Sequence, residues 1–217
     1  HFTIAYSQVP DDTVPGGIGG VLATVHEISE KVVGERRVTV LRDLGLRAEA
    51  KTEEEACNLA AETLAKHPKD IPFALIYLLD SNGKNAQLAC SAGIEQEIVS
   101  PSIVEVGATT DRQLWRFEEV LRTKKSVTIN DLKNKFSDAM PAGPWSDPPH
   151  QAVVTPIPSS VIQNLAGFLI VGVSPRLRLD DSYNTFIELV GGQIASAIAN
   201  ARAYQEEKRR AEALAEL

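Results

Sequence analysis

Only two cysteines, Cys57 and Cys90, occur in 217 residues, and neither stands in a CxxC or beside a histidine at metal-ligand spacing. That argues against a disulfide framework and against a cysteine-built zinc site. Both are expected to be reduced, small, buried apolar residues of a cytoplasmic protein. Histidine is as sparse: His1, His26, His67 and His150 fall on separate elements with no i, i+4 pair, so no metal is expected. Long apolar runs are missing too. The longest, "AGFLIVGV" from Ala166 to Val173, is far too short to cross a bilayer, and no basic n-region with a cleavage site follows His1. No membrane insertion is expected.

Positive charge is in deficit, with 22 Lys and Arg against 29 Asp and Glu and a net charge of −7. A nucleic-acid partner needs a clustered cationic surface, and the one basic cluster, Lys208 to Arg210, lies among glutamates on a helix. It reads as a solvated face. The sequence has no GxSxG, GK[ST], HExxH or DxDxDG. "GGIGG" at Gly16 to Gly20 is followed by a strand pattern, whereas a phosphate loop needs a helix N-terminus there; it reads as a hairpin turn. The paired carboxylates Asp180-Asp181 and Glu118-Glu119 suit caps and surfaces. With no set of nucleophile, base and orienter, no catalysis by this chain is expected.

What the sequence does contain is alternating strand and helix patterns. "FTIAYSQV", the turn "PDDTVPGG" and "IGGVLATVHEI" predict a long hairpin. Two strands alone are marginal, so the hairpin reads as the end of another sheet. From Ser29 the spacing of Val32, Val33, Val40, Leu41, Leu44 and Ala48 predicts a linking helix with a polar gap at "GERR". Thr52 and Glu55 form a capping-box pattern ahead of Ala56, Leu59, Ala60, Thr63 and Leu64, and Pro68 ends that helix. "PFALIYLLD", "SNGK" and "AQLACSAG" predict an antiparallel pair turning at Asn82-Gly83.

A polar loop follows, then a helix in "TTDRQLWRFEEVLRTKK" with a threonine cap and Leu114, Phe117 and Leu121 on one face, and a short strand in "SVTIND". "LKNKFSDAMPAGPWSDPPH" reads as irregular. "AVVTPI" and "AGFLIVGV" are two further strands, and a helix capped at Asp180 or Asp181 runs unbroken to Leu217. The order predicts an α+β fold, an antiparallel sheet with helices on both faces.

Two sets of candidate functional residues follow. Trp145, His150, Phe136, Cys90 and Trp115 are candidates for lining a small-molecule pocket, the first three from the proline-rich loop. In the last helix Ile187, Val190, Ile194, Ala197, Ala201, Tyr204, Lys208, Ala211 and Ala215 alternate three and four apart, the heptad of a coiled-coil seam. Its alanines and Lys208 predict a weak, adjustable seam, while Ile194 and Ile198 pack the helix's first third on the domain.

The stretches "LGLRAEAKTEEEACNLAAETLAKHPKDIPFALIYLLD", "PAGPWSDPPHQAVVTPIPSS" and "VGVSPRLRLDDSY" leading into "QIASAIANARAY" resemble the GAF domain of multidomain hybrid histidine kinases. The resemblance implies a GAF-like, profilin-like α+β fold: residues 1–28 as the C-terminal hairpin of a preceding PAS-like domain, 29–50 as a linker helix, 51–200 as the GAF domain, and 201–217 as the start of a coiled-coil connector.

It implies a sensory or regulatory module of a two-component system, a parallel homodimer through its N- and C-terminal helices, and downstream histidine kinase domains in cis. A small-molecule ligand is also implied, of unknown identity: "NKFSD" at Asn134 to Asp138 lacks the gapped spacing and final Glu of the cyclic-nucleotide signature, and Cys90 is followed by Ser91 rather than the His of a bilin site. A ligand-free dimerisation spacer and a small-molecule-binding GAF enzyme are the alternatives.

Overall fold

The computed structural model describes residues 2–46, 50–95, 102–107, 114–136, 140, 143–159 and 164–215. The chain divides into two units, His1–Thr39 and Val40–Leu217. In the first, β1 (Phe2–Pro10) and β2 (Ile18–Glu27) form the expected antiparallel hairpin, in register from Phe2↔Glu27 through Ile4↔Val25 to Tyr6↔Ala23. The Asp11 carboxylate accepts hydrogen bonds from the Thr13 backbone N–H (2.9 Å) and hydroxyl (2.6 Å), which holds its pKa below the usual range. Gly16 and Gly17 close the turn at φ of 96° and 68°, a region other residues seldom enter. Helix α1 (Ser29–Gly45) begins in this unit and ends in the second.

The second unit is built on a six-stranded, wholly antiparallel sheet of order β5-β4-β3-β8-β7-β6. Its strands are β3 (Ala74–Leu79), β4 (Asn85–Ala92), β5 (Ile103–Glu105), β6 (Val127–Ile129), β7 (Ala152–Pro158) and β8 (Leu165–Gly172). The central strands are apolar on both alternating sets because both faces are covered. Ala74 and Ile76 of β3, with Leu169 and Val171 of β8, point into one cluster; Leu75 and Tyr77, with Phe168 and Ile170, point into another. At Gly167 a Cβ would collide with the Tyr77 carbonyl across the β3–β8 ladder. Only glycine allows that approach.

The first face carries α2 (Glu53–Ala65) and α5 (Asp181–Ala215). Thr52 caps α2 as its motif predicts: its hydroxyl accepts the Glu55 N–H at 3.1 Å, and Glu55 Oε2 accepts the N–H of Lys51, one residue outside the expected partner, at 2.8 Å. Asp180 caps α5 through Tyr183 N–H at 2.8 Å. The second face carries α3 (Phe117–Thr123) and α4 (Leu132–Phe136).

Three local readings change. The expected polar loop holds β5, and the proline-rich loop begins with α4. Helix α3 starts at Phe117 from Arg116, which sits at φ 50° with no side-chain cap; the expected threonine cap and Ala48 lie outside the described residues. Three- and five-residue elements leave too little periodicity for the sequence to show.

Candidate functional site

The second face of the sheet is an aromatic cluster. Phe117, the first residue of α3, stacks on Phe168 of β8 at 4.3 Å between ring centres and meets Tyr77 of β3 edge-on at 5.1 Å. Trp115 lies over Phe136 of α4 at 5.5 Å. Tyr77, Phe117 and Phe168 are no more than 1% exposed, and Trp115 is 3% exposed. Burial raises the Tyr77 hydroxyl to a pKa of about 12. Where a pocket-lining role was expected, these rings instead fill the space between sheet and helices.

Of the five pocket candidates, the structure brings two together, Trp115 and Phe136. Trp145 is half-buried, with Arg176 6.0 Å over its ring, and Arg176 is paired to Asp147 at 3.0 Å. Its contacts clamp the loop. The His150 side chain is exposed; its carbonyl accepts the Leu132 N–H at 3.1 Å, so its role is to hold the start of α4.

Cys90 requires a correction, because it points to the opposite face of the sheet, into the cluster under α2 and α5. There its thiol donates to the Cys57 carbonyl at 3.1 Å. Cys57 of α2 and Cys90 of β4 are therefore neighbours, because α2 packs on β4. The hydrogen bond to Cys57 and burial push the Cys90 thiol pKa strongly upward, away from the reactive thiolate.

The seam also needs correction. Ile187, Val190, Ile194 and Ala201 are no more than 1% exposed and Ala197 is 9% exposed, all inside the cluster formed with α2, β7, β8 and the end of α1. A helix lying on a sheet and a helix in a coiled coil both need an apolar stripe about every 3.6 residues, and here the sheet has claimed it. Tyr204 and Ala211 remain exposed.

Tyr183 locks the start of α5. Its hydroxyl donates to the Asp70 carbonyl and accepts the Ser174 N–H at 3.1 Å, both buried, tying the helix to the loops before β3 and after β8. Val40 and Leu44 of α1 are buried in the same cluster, and a Cβ on Gly45 would lie 3.7 Å from Gln193 of α5. The last turns of α1 and the first half of α5 thus share one core.

Sequence reasoning missed a cleft of about 830 Å³ between α5 and the β6 edge, lined by Lys124, Ser126, Thr155, Glu188 and the apolar Pro156 and Leu165. The Ser126 and Thr155 hydroxyls are 2.9 Å apart, and Ser126 lies 3.4 Å from Glu188. These residues come from separate segments at no fixed spacing, so no motif announces them. Among the described residues no group of three His, Cys, Asp or Glu side chains could hold a metal ion, and no helix is long and apolar enough to cross a membrane.

The family model described as the GAF domain matches residues 50–199. No curated protein matches the sequence. Among solved structures, the chain is similar to the GAF domain of a phosphoenolpyruvate-protein phosphotransferase from Coxiella burnetii, at 17% identity and a TM-score of 0.56, over 79% of this chain and 98% of that one. It is similar to residues 122 to 287 of a methyl-accepting chemotaxis protein, at 17% identity and a TM-score of 0.55, over 74% and 97%. It is also similar to the free methionine-R-sulfoxide reductase of Neisseria meningitidis, at 14% identity and a TM-score of 0.54, over 77% and 90%. At these identities the likeness concerns the fold.

Proposed function

Because the chain belongs to the GAF domain family, a regulatory and sensory type of module, we propose that it receives a signal and passes it along α5 to a downstream effector, the histidine kinase core of a two-component system. It acts in the cytoplasm as a parallel homodimer and performs no chemistry of its own. In this reading residues 1–28 close a preceding PAS-like domain and 201–217 open the connector.

One observation carries the proposal. Helix α5 is continuous over 35 residues, about 52 Å at 1.5 Å per residue. Its buried residues run from Tyr183 to Ala201, and beyond Gln205 every described residue is exposed. A shift in the packing of the first half therefore moves the second half as one rod. The end of α1 rests on the same core, so a change arriving along α1 meets α5 directly.

The reading is tested by changing helical phase in the full-length protein. Insertions of one or two residues between Ala203 and Tyr204 rotate everything downstream by about 100° or 200°, while seven restore the phase to within about 20°. Effector output is expected to change with the first two and return with the third. Output that ignores all three refutes relay through α5. The kinase assignment is tested by the coding sequence after Leu217, where a phosphoacceptor histidine followed by an ATPase domain is expected and any other effector overturns it.

The filled aromatic face favours a second reading, a dimerisation spacer without a ligand. A thermal-shift screen against cyclic nucleotides, haem and common metabolites separates the two. Stabilisation at micromolar ligand supports sensing by this domain, and no stabilisation by any supports the spacer.

A further inference from the structure

The apolar layer between α5 and the sheet stops one strand short of the β6 edge. On β7, Val153 and Ile157 reach into the core under α5, and the residue between them on the same face is Thr155. On β6, Val127 and Ile129 turn to the aromatic face, so Thr128 and the preceding Ser126 turn to the α5 face. Across from them α5 presents Asn184 and Glu188, one turn apart. The side chains that would continue the layer are thus polar on both sides. The gap they leave is the cleft of about 830 Å³, within the size range of small-molecule sites.

The floor of the cleft is fixed, and its rim is left with hydrogen-bonding capacity. Thr155 is 2% exposed, and its hydroxyl is 2.9 Å from that of Ser126, which lies 3.4 Å from Glu188 Oε1. Lys124 closes α3 at φ 56°, with its N–H on the Val120 carbonyl at 2.8 Å. There the chain turns toward β6, and Lys124 and Lys125 come to the cleft. Among the described residues no ion pair or side-chain hydrogen bond occupies either ammonium, the Thr128 hydroxyl, the Asn184 amide or the second oxygen of Glu188.

We propose that this cleft binds a small aliphatic amino-carboxylate, a molecule of the free amino acid type, with its ammonium on Glu188 and its carboxylate on Lys124 and Lys125. Both signs of charge stand on the cleft, and a ligand carrying both leaves neither unmatched. A dianion would meet Glu188, and a dication would meet two lysines. The walls supplied by Pro156 and Leu165 are apolar without being aromatic, so they suit an alkyl side chain and give a nucleobase no stacking face. Glu188 is the one carboxylate on the cleft among the described residues, too few for a metal ion.

The site lies on the opposite face of the sheet from the aromatic cluster, and its ligand joins α5 to the segment before β6. In the relay reading above, on which this consequence rests, such a bridge fastens the first half of α5 to the sheet edge.

The test uses the whole 217-residue chain, isotope-labelled, with the twenty free amino acids as probes. At least one aliphatic amino acid is expected to shift the backbone amide signals of Ser126, Thr128, Asn184 and Glu188. Those of Tyr77 and Phe168, whose side chains fill the other face, are expected to stay in place. The carboxamide and the desamino acid of that probe are each expected to bind at least about tenfold more weakly, as the loss of one charge-assisted contact requires. Glu188→Gln, and Lys124→Ala combined with Lys125→Ala, are expected to weaken binding by a similar factor. All three positions are exposed, so the thermal midpoint of the free chain is expected to be unchanged.

No shift with any of the twenty, shifts confined to the aromatic face, or equal binding of the carboxamide overturns the proposal. Binding at the cleft by a chain whose effector output ignores the phase insertions refutes the relay and leaves this site standing. Phase-sensitive output with no binding does the reverse, so the two ideas fail separately.

Discussion

Replacing Tyr183 with phenylalanine removes one oxygen atom and leaves the packing of the ring intact. The hydroxyl is the donor to the Asp70 carbonyl and the acceptor of the Ser174 N–H, and Asp70, Ser174 and Tyr183 are each no more than 1% exposed. Two net hydrogen bonds at about 1 kcal/mol each are lost, and a buried N–H loses an acceptor at a further cost of about 1–3 kcal/mol. The expected loss is roughly 3–5 kcal/mol. For a unit of this size it lowers the melting midpoint by roughly 6–20 °C.

Denaturant unfolding followed by tryptophan fluorescence measures it, because both tryptophans, Trp115 and Trp145, lie in the Val40–Leu217 unit. Tyr204→Phe, at an exposed position of the same helix, is the control and is expected to change nothing. A Tyr183→Phe loss below about 0.5 kcal/mol, no larger than surface substitutions give, would refute the view that this hydroxyl fastens α5 to the sheet.

Two further outcomes follow from buried groups. Tyr77 has its pKa raised from 10.0 to about 12 by burial, so between those values the folded chain keeps a proton that the unfolded chain releases. Its contribution is complete below pH 10 and is lost as pH rises through about 12; the urea midpoint of the native chain should fall more steeply between pH 9 and 11.5 than that of Tyr77→Phe, and parallel curves would contradict the assignment. Cys57 and Cys90 are both buried, and the Cys90 thiol is held protonated by its contact with Cys57 and by burial. A chromogenic thiol reagent should therefore titrate no thiol in the native protein and two in denaturant, and rapid native labelling would show that the α2–β4 contact opens readily.

Local chemistry was legible wherever partners sit within a few residues of each other. The Thr52–Glu55 cap, the Asp180 cap, the Asn82-Gly83 turn and the strands of unbroken apolar residues are all written in short spacings. The candidate site was legible only as residue types. Trp115 and Phe136 do meet, but Trp145 and His150 serve their own loop, and Cys90 turned out to face α2, because the two faces of a strand covered on both sides look alike in sequence.

By itself the sequence determined an antiparallel α+β domain and a long, unbroken last helix, since hydrophobic period, caps and turn residues act over one or two turns of chain. Which stripe of that helix is spent on the sheet and which stays exposed was decided only in the tertiary structure. The physical reason is that an apolar stripe records that something will cover it, and the identity of the cover depends on how distant elements such as α1 and α2 fold back with β7 and β8.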